Sequence, residues 1–416
     1  MESFIARRLV DFCSAMVVVF IIILLSGMGF GLVLPPFMFA AMNMGASPMV
    51  AAAVISTFAI GQFIATPIWG RLSDRYGRKP VLLVTMLGSA VAYVVMANAT
   101  NLWILMLARL LTGLLAGNFA VATAYVSDIT PADKRVQGMG LVGGAMSLGF
   151  MTGPAIGGLL GGADAETANL YLPGLAAAAI CLLTFAAILL FLKESLPPEK
   201  RVGSSTHHAE IESSGFKAFK HVLTRPILVE MVAMGFLVFF AMAMFETIFP
   251  LWSEARFDWG PQNVGFMFMY LGFIVMITQM FLAGKLAPIF GEAKLLMGAV
   301  TAYAIGLILV AQVPSWQLMM IGITLTACGG AMFNTAGISW VSQHAGESEQ
   351  GLVIGVYQSA GWLGRSFGPT VSGLLFQMIG VNSPLYAGAV LMLPCFLIVL
   401  MIRRRIATMA SMQEHA

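Results

Sequence analysis

Twelve long runs of apolar residues, nearly free of charge, constrain this chain more than any other feature. They cover residues 15–37, 48–70, 80–98, 102–127, 137–161, 170–192, 227–251, 261–284, 295–312, 315–342, 351–378 and 383–402. A helix crosses the hydrocarbon core of a bilayer with about 20 apolar residues, and the runs have that length. Only 10% of the 416 residues are charged and 59% are apolar, against roughly 25% and 45–50% in soluble domains. Such a chain must turn its side chains to lipid. The runs are continuous, whereas a membrane β-barrel would show short alternating segments. The expected fold class is therefore an all-α membrane protein with twelve transmembrane helices.

Lysine and arginine set the orientation. Arg7 and Arg8 precede the first run. Arg71, Arg75, Arg78 and Lys79 follow the second, and Lys134 and Arg135 the fourth. Lys193, Lys200, Arg201, Lys217, Lys220 and Arg225 follow the sixth, Lys285 and Lys294 the eighth, and Arg403, Arg404 and Arg405 the twelfth. Nineteen of the 22 basic residues thus fall on one side, and only Arg256 on the other. Both termini are expected in the cytoplasm. The net charge of +3 follows from this topology and calls for no nucleic-acid partner. The first run has span length with no small-residue cleavage site after it, so it reads as a span and not as a cleaved signal.

The chain repeats itself. Gly149, Gly153, Pro154, Gly157 and Gly158 in the fifth run recur as Gly364, Gly368, Pro369 and Gly373 in the eleventh, 215 positions on. Leu34-Pro35 and Phe249-Pro250 stand at the same offset and are expected to end the first and seventh helices. Gly70, Leu72 and Gly77 match Gly284, Leu286 and Gly291 at 214. A fixed offset marks a duplicated unit, here of six helices. Residues 1–192 and 226–416 are the expected bundles. Residues 193–225, polar and carrying Pro197-Pro198 and His207-His208, are the expected cytoplasmic linker. The histidines read as part of a solvated loop rather than a metal site. Cys13, Cys181, Cys328 and Cys395 stand singly and read as packing residues.

Two six-helix halves in a parallel repeat resemble the major facilitator superfamily. Gly70-Arg-Leu-Ser-Asp74-Arg75-Tyr-Gly77-Arg78-Lys79 is similar to its motif A, and Leu107-Ala-Arg109-Leu-Leu-Thr-Gly113 to its motif B. Gly149 to Gly158 resembles motif C of its twelve-helix drug/proton antiporters. Ala124-Tyr-Val-Ser-Asp128 resembles a segment of bacterial tetracycline and multidrug effluxers. The resemblance spans the chain. It implies that helices 1, 4, 7 and 10 face a central cavity. It also implies a cytoplasmic latch in which Asp74 meets the start of helix 11, with Asp128 accepting from Arg75 or Arg78. Motif C would be a supple seam between helices 5 and 8. In the second repeat Pro288 and Glu292 stand where Asp74 and Arg78 stand in the first, so that turn keeps its glycines without the latch.

Charged groups inside spans are the main candidates for function, since each costs at least ~2.5 kcal/mol at mid-membrane. They are Arg109, Glu246 and Arg365; Glu230 lies near a span end. Glu246 corresponds to Gly31 in the first repeat, so the helix design does not demand an acid there. It reads as a proton-coupling carboxyl, protonation cancelling the cost of its charge, as half of a structural pair with an arginine, or as an acid simply reaching the outer water. Arg109 could interact with Glu246: the resemblance implies a part in proton transfer, with a tether to backbone carbonyls near helix 1 as the alternative. Arg365 either pairs with a carboxylate or meets an anionic group of a substrate. Asn118, Met242, Phe245, Asn334 and Gln358 are further candidates for the cavity. The 30 methionines and 29 phenylalanines suit promiscuous apolar recognition.

No phosphate-binding loop, catalytic Ser/His/Asp grouping or metal-ligand spacing is present in the sequence. The expectation is a secondary transporter, not an enzyme, with no cofactor and no metal. It would export lipophilic, often cationic drugs against protons, acting as a monomer in a bacterial inner membrane. Export of a metabolite, sugar or lipid, and a non-transporting membrane sensor, are the alternatives.

Overall fold

The computed structural model describes residues 2–130, 135–197, 224–345 and 349–414. Most of the expected linker, including His207 and His208, lies outside them, as does Lys134. The helices are α1 (Glu2–Asn43), α2 (Pro48–Tyr76), α3 (Arg78–Ala97), α4 (Leu102–Leu115), α5 (Asn118–Ile129), α6 (Arg135–Gly161) and α7 (Tyr171–Phe191). Then follow α8 (Pro226–Phe257), α9 (Pro261–Ile277), α10 (Gly284–Phe290), α11 (Glu292–Gln312), α12 (Trp316–His344), α13 (Gln350–Met378) and α14 (Ser383–Glu414). No strand occurs among the described residues.

Ten helical stretches among the described residues are long and apolar enough to cross a membrane. The two other long helices are α6 and α13, of 27 and 29 residues. These carry the repeated Gly-Pro motif, and glycine adds no apolar side chain. Large apolar side chains stand exposed along the helices, Ile64, Leu183, Leu190, Phe191 and Leu393 among them, as a surface solvated by lipid requires.

The helices depart from the apolar runs in three places. The expected stops at Pro35 and Pro250 do not stop α1 or α8, which continue to Asn43 and Phe257. Proline removes a single N–H, and in lipid a broken helix would strand more backbone groups than a loosened one. The fourth run divides at Ala116-Gly117. Gly117 lies against the Trp69 side chain, where a Cβ would come within 2.6 Å of the Trp69 Cβ. The Trp69 indole N–H donates to the Leu114 carbonyl freed by the break, at 2.6 Å. The eighth run passes through a π-helical turn, Thr278–Ala283, before α10.

By contacts the chain forms two compact units. The first gathers Met1–Ser47, Thr57–Ser205 and Ser253–Gly272; the second gathers Pro48–Ser56, Thr206–Trp252 and Phe273–Ala416. The division leaves the expected halves at two places, the start of α2 and the stretch from the end of α8 through most of α9. The core of the first unit joins Ile22 and Ile23 of α1, Leu82 and Met86 of α3, Val121 and Tyr125 of α5, Ala145 of α6 and Ile188 of α7. In the second, Phe245, Phe249 and Trp252 pack in series along α8, the first pair tilted and the second stacked. The Trp252 indole N–H donates to the Asn382 side-chain carbonyl at 2.8 Å.

Without a hydrophobic drive between helices in lipid, close packing at small residues holds such bundles together. In the first unit a Cβ at Gly149 would sit 2.5 Å from the Leu24 carbonyl oxygen, and one at Gly153 2.6 Å from that of Met28. The motif C glycines therefore pack mainly on α1. Only Gly158 turns to α9, a Cβ there lying 2.5 Å from the Pro261 carbonyl oxygen. The α9 side of the seam continues along α6: a Cβ at Gly265 would meet the Pro154 carbonyl oxygen and one at Gly272 would lie 3.0 Å from the Met151 Cα, so the expected contact with α9 is present beside the one with α1. The second unit repeats the plan. Cβ atoms at Gly364 and Gly368 would come 2.5 and 2.6 Å from the Phe236 and Phe240 carbonyl oxygens of α8, and one at Gly373 2.6 Å from that of Pro48 on α2. The offset of 215 read from the sequence is thus a structural equivalence.

Candidate functional site

The charged turn between α2 and α3 lies in the first unit. Gly77 takes φ +104°, and its counterpart Gly291 takes +76°; glycine is the residue that adopts such angles freely. Asp74 stands in the last turn of α2. A carboxylate is unfavourable there, and Arg78 compensates, its Nη1 lying 2.6 Å from Asp74 Oδ1. Arg78 is almost buried. Its Nε donates to Asp128 Oδ2 at 3.1 Å and its Nη1 to Ser73 Oγ at 2.6 Å. Of the two arginines expected to reach Asp128, Arg78 does so. Arg75 is exposed, with its guanidinium 5.3 Å from the Tyr76 ring centre.

The carboxylate at the start of α3 belongs to Glu194, which the sequence reading did not single out. Glu194 Oε1 accepts from the Arg78 backbone N–H at 2.8 Å and Oε2 from that of Lys79 at 3.2 Å. Ser195 Oγ donates to Asp128 at 3.1 Å. The free N–H groups and dipole of α3 are therefore met by the residues just after α7. Of the expected latch, the described contacts comprise this network within one unit: Asp74, Arg78 and Asp128, with Ser73, Glu194 and Ser195 added.

Arg109 of α4 is completely buried. Three phenylalanine rings surround its guanidinium, with centres 5.4, 5.1 and 4.6 Å away at Phe30, Phe37 and Phe58. Its Nε and Nη1 have no hydrogen-bond partner among the described residues. Cation–π attraction replaces part of the missing solvation. Tyr93 of α3 is within electrostatic reach of it. Arg109 is thus held by ring faces, neither ion-paired nor tethered through those two nitrogens among the described residues.

Glu246 has Arg365 as its partner, both in the second unit. Arg365 Nη1 lies 2.8 Å from Glu246 Oε2, and Nη2 lies 3.5 Å from Oε1, a fork against a carboxylate. The pair is accessible: the side chains are 38% exposed for Glu246 and 29% for Arg365. The Arg365 guanidinium stands 5.5 Å from the Phe239 ring centre, and Phe239 meets Phe333 edge to face. Tyr303 of α11 is buried within electrostatic reach of both charges.

The structure separates the remaining candidates. Met242 is half-buried and reaches toward Gly330, where a Cβ would lie 3.1 Å from its Cε. Phe245, expected at the cavity, is buried with its ring tilted against that of Phe249; it belongs to the core. Asn118 points its amide at the Met86 sulfur of α3, 3.9 Å away. Asn334 is half-buried on α12 and Gln358 is exposed on α13. No group of residues suited to hold a metal ion occurs among the described residues.

Known proteins share this plan. The chain is 29% identical to the class H tetracycline resistance protein of Pasteurella multocida over 88% of its own length and 89% of that protein's. It is 30% identical to multidrug resistance protein 2 of Bacillus subtilis, covering 88% and 89%. The crystal structure of a human organic anion transporter superposes with a TM-score of 0.69 at 25% identity, covering 93% of this chain and 99% of that one. The sequence profile of the Major Facilitator Superfamily matches residues 16–291 and 257–411. A duplicated bundle with these turns and seams, matched along nearly its whole length by transporters, is a multi-pass membrane protein: the chain belongs to the major facilitator superfamily.

Proposed function

We propose that this protein is a proton-coupled antiporter that expels lipophilic, often cationic drugs by alternating access. It would sit in a bacterial inner membrane with both termini in the cytoplasm. One observation carries the reading: an accessible carboxylate–guanidinium pair, Glu246–Arg365, between α8, which is long and apolar enough to cross a membrane, and the 29-residue α13, beside an aromatic face. The likeness to tetracycline and multidrug resistance proteins supports it.

The coupling follows from competition for one carboxylate. A proton on Glu246 neutralises it and releases Arg365, and a cationic substrate takes the same oxygens. Proton and cation therefore exclude each other, and linkage makes that exclusion reciprocal. A carrier that changes state with either, but not both, exchanges one for the other. Phe239 and Met242 supply adaptable apolar contact for the rest of the molecule. The network around Arg78 sits outside this chemistry, at a turn, and contributes to the equilibrium between states.

The test uses proteoliposomes and a fluorescent lipophilic cation. With a pH gradient imposed, the wild type should accumulate the cation against its gradient, and Glu246→Gln should not. Equal uphill accumulation by the two proteins removes Glu246 from the coupling.

A further inference from the structure

The Glu246–Arg365 pair holds one charge of each sign at one accessible place, and this restricts what can replace it. We infer that the preferred substrate is an amphipathic zwitterion, a molecule carrying both an ammonium and a carboxylate. The inference rests on the antiport reading above and deepens it by naming the substrate class.

The reasoning is a count of charge within the helices. A charge left unpaired at membrane depth is disfavoured, even where it is partly exposed. A substrate that is only a cation takes Glu246 and leaves Arg365 without a partner. A substrate that is only an anion takes Arg365 and leaves Glu246 unpaired unless a proton joins it. In that case proton and anion travel together, which is symport and not exchange. A zwitterion satisfies both sides. Its ammonium meets the Glu246 carboxylate, its carboxylate meets the Arg365 fork, and the site stays neutral with Glu246 deprotonated.

The surroundings agree with such an occupant. The two side chains come from different helices, α8 and α13, whose backbones are packed at Gly364 and Gly368; rotation of the long Glu246 and Arg365 side chains parts their ends to admit a molecule between them. Arg365 is backed by the face of Phe239, which supports a guanidinium even while its carboxylate partner is displaced. Phe239 with Phe333, and Met242 with Gly330, offer apolar contact close by. The ionisable group facing the pair from α11 is Tyr303, whose neutral phenol adds no third charge. Proton bookkeeping closes as well. When the ammonium arrives at protonated Glu246, the carboxyl O–H bond breaks, the proton leaves to water, and the ammonium keeps its own protons.

A consequence separates zwitterions from cations. With Glu246 protonated the site carries the positive charge of Arg365; with the zwitterion bound it carries none. Exchange of a proton for a zwitterion therefore moves charge, and the membrane potential drives it at about 2.3 kcal/mol per elementary charge per 100 mV. Exchange of a proton for a monocation moves none.

The experiment compares an aryl-piperazine carboxylic acid with its ethyl ester and its N-acetyl derivative: a zwitterion, a cation and an anion on one scaffold. Uptake into proteoliposomes is measured with the pH gradient and the potential set independently. The acid should be transported at least about tenfold faster than the ester, and a potential should accelerate the acid and not the ester. Arg365→Gln should bring acid and ester to equal rates. Arg365→Lys, which keeps the charge, should retain part of the preference and guards against a variant that fails to fold. Proton-coupled transport of the ester at the rate of the acid overturns the inference and leaves the antiport reading standing. Proton coupling with none of the three, nor with the lipophilic cation above, overturns the antiport reading and the inference with it.

Discussion

The two repeats share their helices and glycine seams and differ in where they place charge. In the first, the charged turn carries Asp74, Arg78 and Asp128 in contact, while the charge within the spans is Arg109 alone among phenylalanines. In the second, Glu292 stands where Arg78 stands and Gln343 where Asp128 stands. That turn is held by a Gln343-to-Glu292 hydrogen bond of 2.6 Å with Ser339 at 3.3 Å. The second repeat places its ion pair inside the helices instead, at Glu246 and Arg365, whose counterparts are Gly31 and Phe150. Duplication copied the packing, and divergence distributed the chemistry. What is common to the repeats is scaffold; what differs between them marks function.

The largest expected effects test the contrast between the paired and the unpaired arginine. Glu246→Gln should lower proton-driven transport by roughly 100-fold or more, the range lost with a proton-transferring group. For stability the two arginines should respond with opposite sign. Arg365→Gln strands a carboxylate. Breaking a buried pair costs about 3–5 kcal/mol, and exposure of this pair reduces the loss to about 1–2 kcal/mol. The double variant Glu246→Gln/Arg365→Gln should recover most of it. Arg109→Met removes a buried charge with two unpaired nitrogens and should raise the unfolding temperature in detergent. A fall as large as that of Arg365→Gln would show that Arg109 has a partner and end the contrast.

Next in size is the shared scaffold. Gly149→Val and Gly364→Val occupy equivalent places, each with a Cβ 2.5 Å from a carbonyl oxygen of the neighbouring helix. Backbone on one helix must move, and overpacking of this kind costs about 1–3 kcal/mol. The two variants should lose folded protein equally in thermal unfolding. Gly143→Ala, on α6 where a Cβ meets nothing within 4 Å, should be neutral. A marked inequality between Gly149→Val and Gly364→Val would limit the equivalence of the repeats to their sequences.

Part of this was legible in the sequence, for physical reasons. Apolar length is imposed by the bilayer. The glycines at 77 and 291 are imposed by positive φ, and those at 149 to 158 by backbone approach, so all appear as one residue type at a fixed place. The Glu246–Arg365 pair was open to either reading, because a separation of 119 residues says nothing of which arginine an acid meets. Glu194 was missed for a related reason: it lies 116 residues from the N–H it caps, at the edge of a polar segment where acids are ordinary. The continuation of α1 through Pro35-Pro36 was misread because proline signals an end in water, where freed carbonyls can be solvated. Lipid removes that choice.

The smallest effects compare the two repeated turns. Arg78→Gln leaves Asp74 and Asp128 facing each other without the cation that joins them, and it removes charge-assisted bonds worth about 1.5–3 kcal/mol each before solvent screening. Asp74 is about half exposed, so the net loss should be near 1–2 kcal/mol, with a clear fall in transport. Glu292→Gln keeps an oxygen that accepts from both Gln343 and Ser339. A neutral hydrogen bond there contributes about 1 kcal/mol, and its charge lies at the start of α11, where the dipole favours an acid by about 0.3–1 kcal/mol. The expected cost is below about 1 kcal/mol with transport unchanged. Were Glu292→Gln to impair transport as much as Arg78→Gln, the second turn would be a working part of the cycle, and the division between an inherited turn and a functional one would fail where it is most finely drawn.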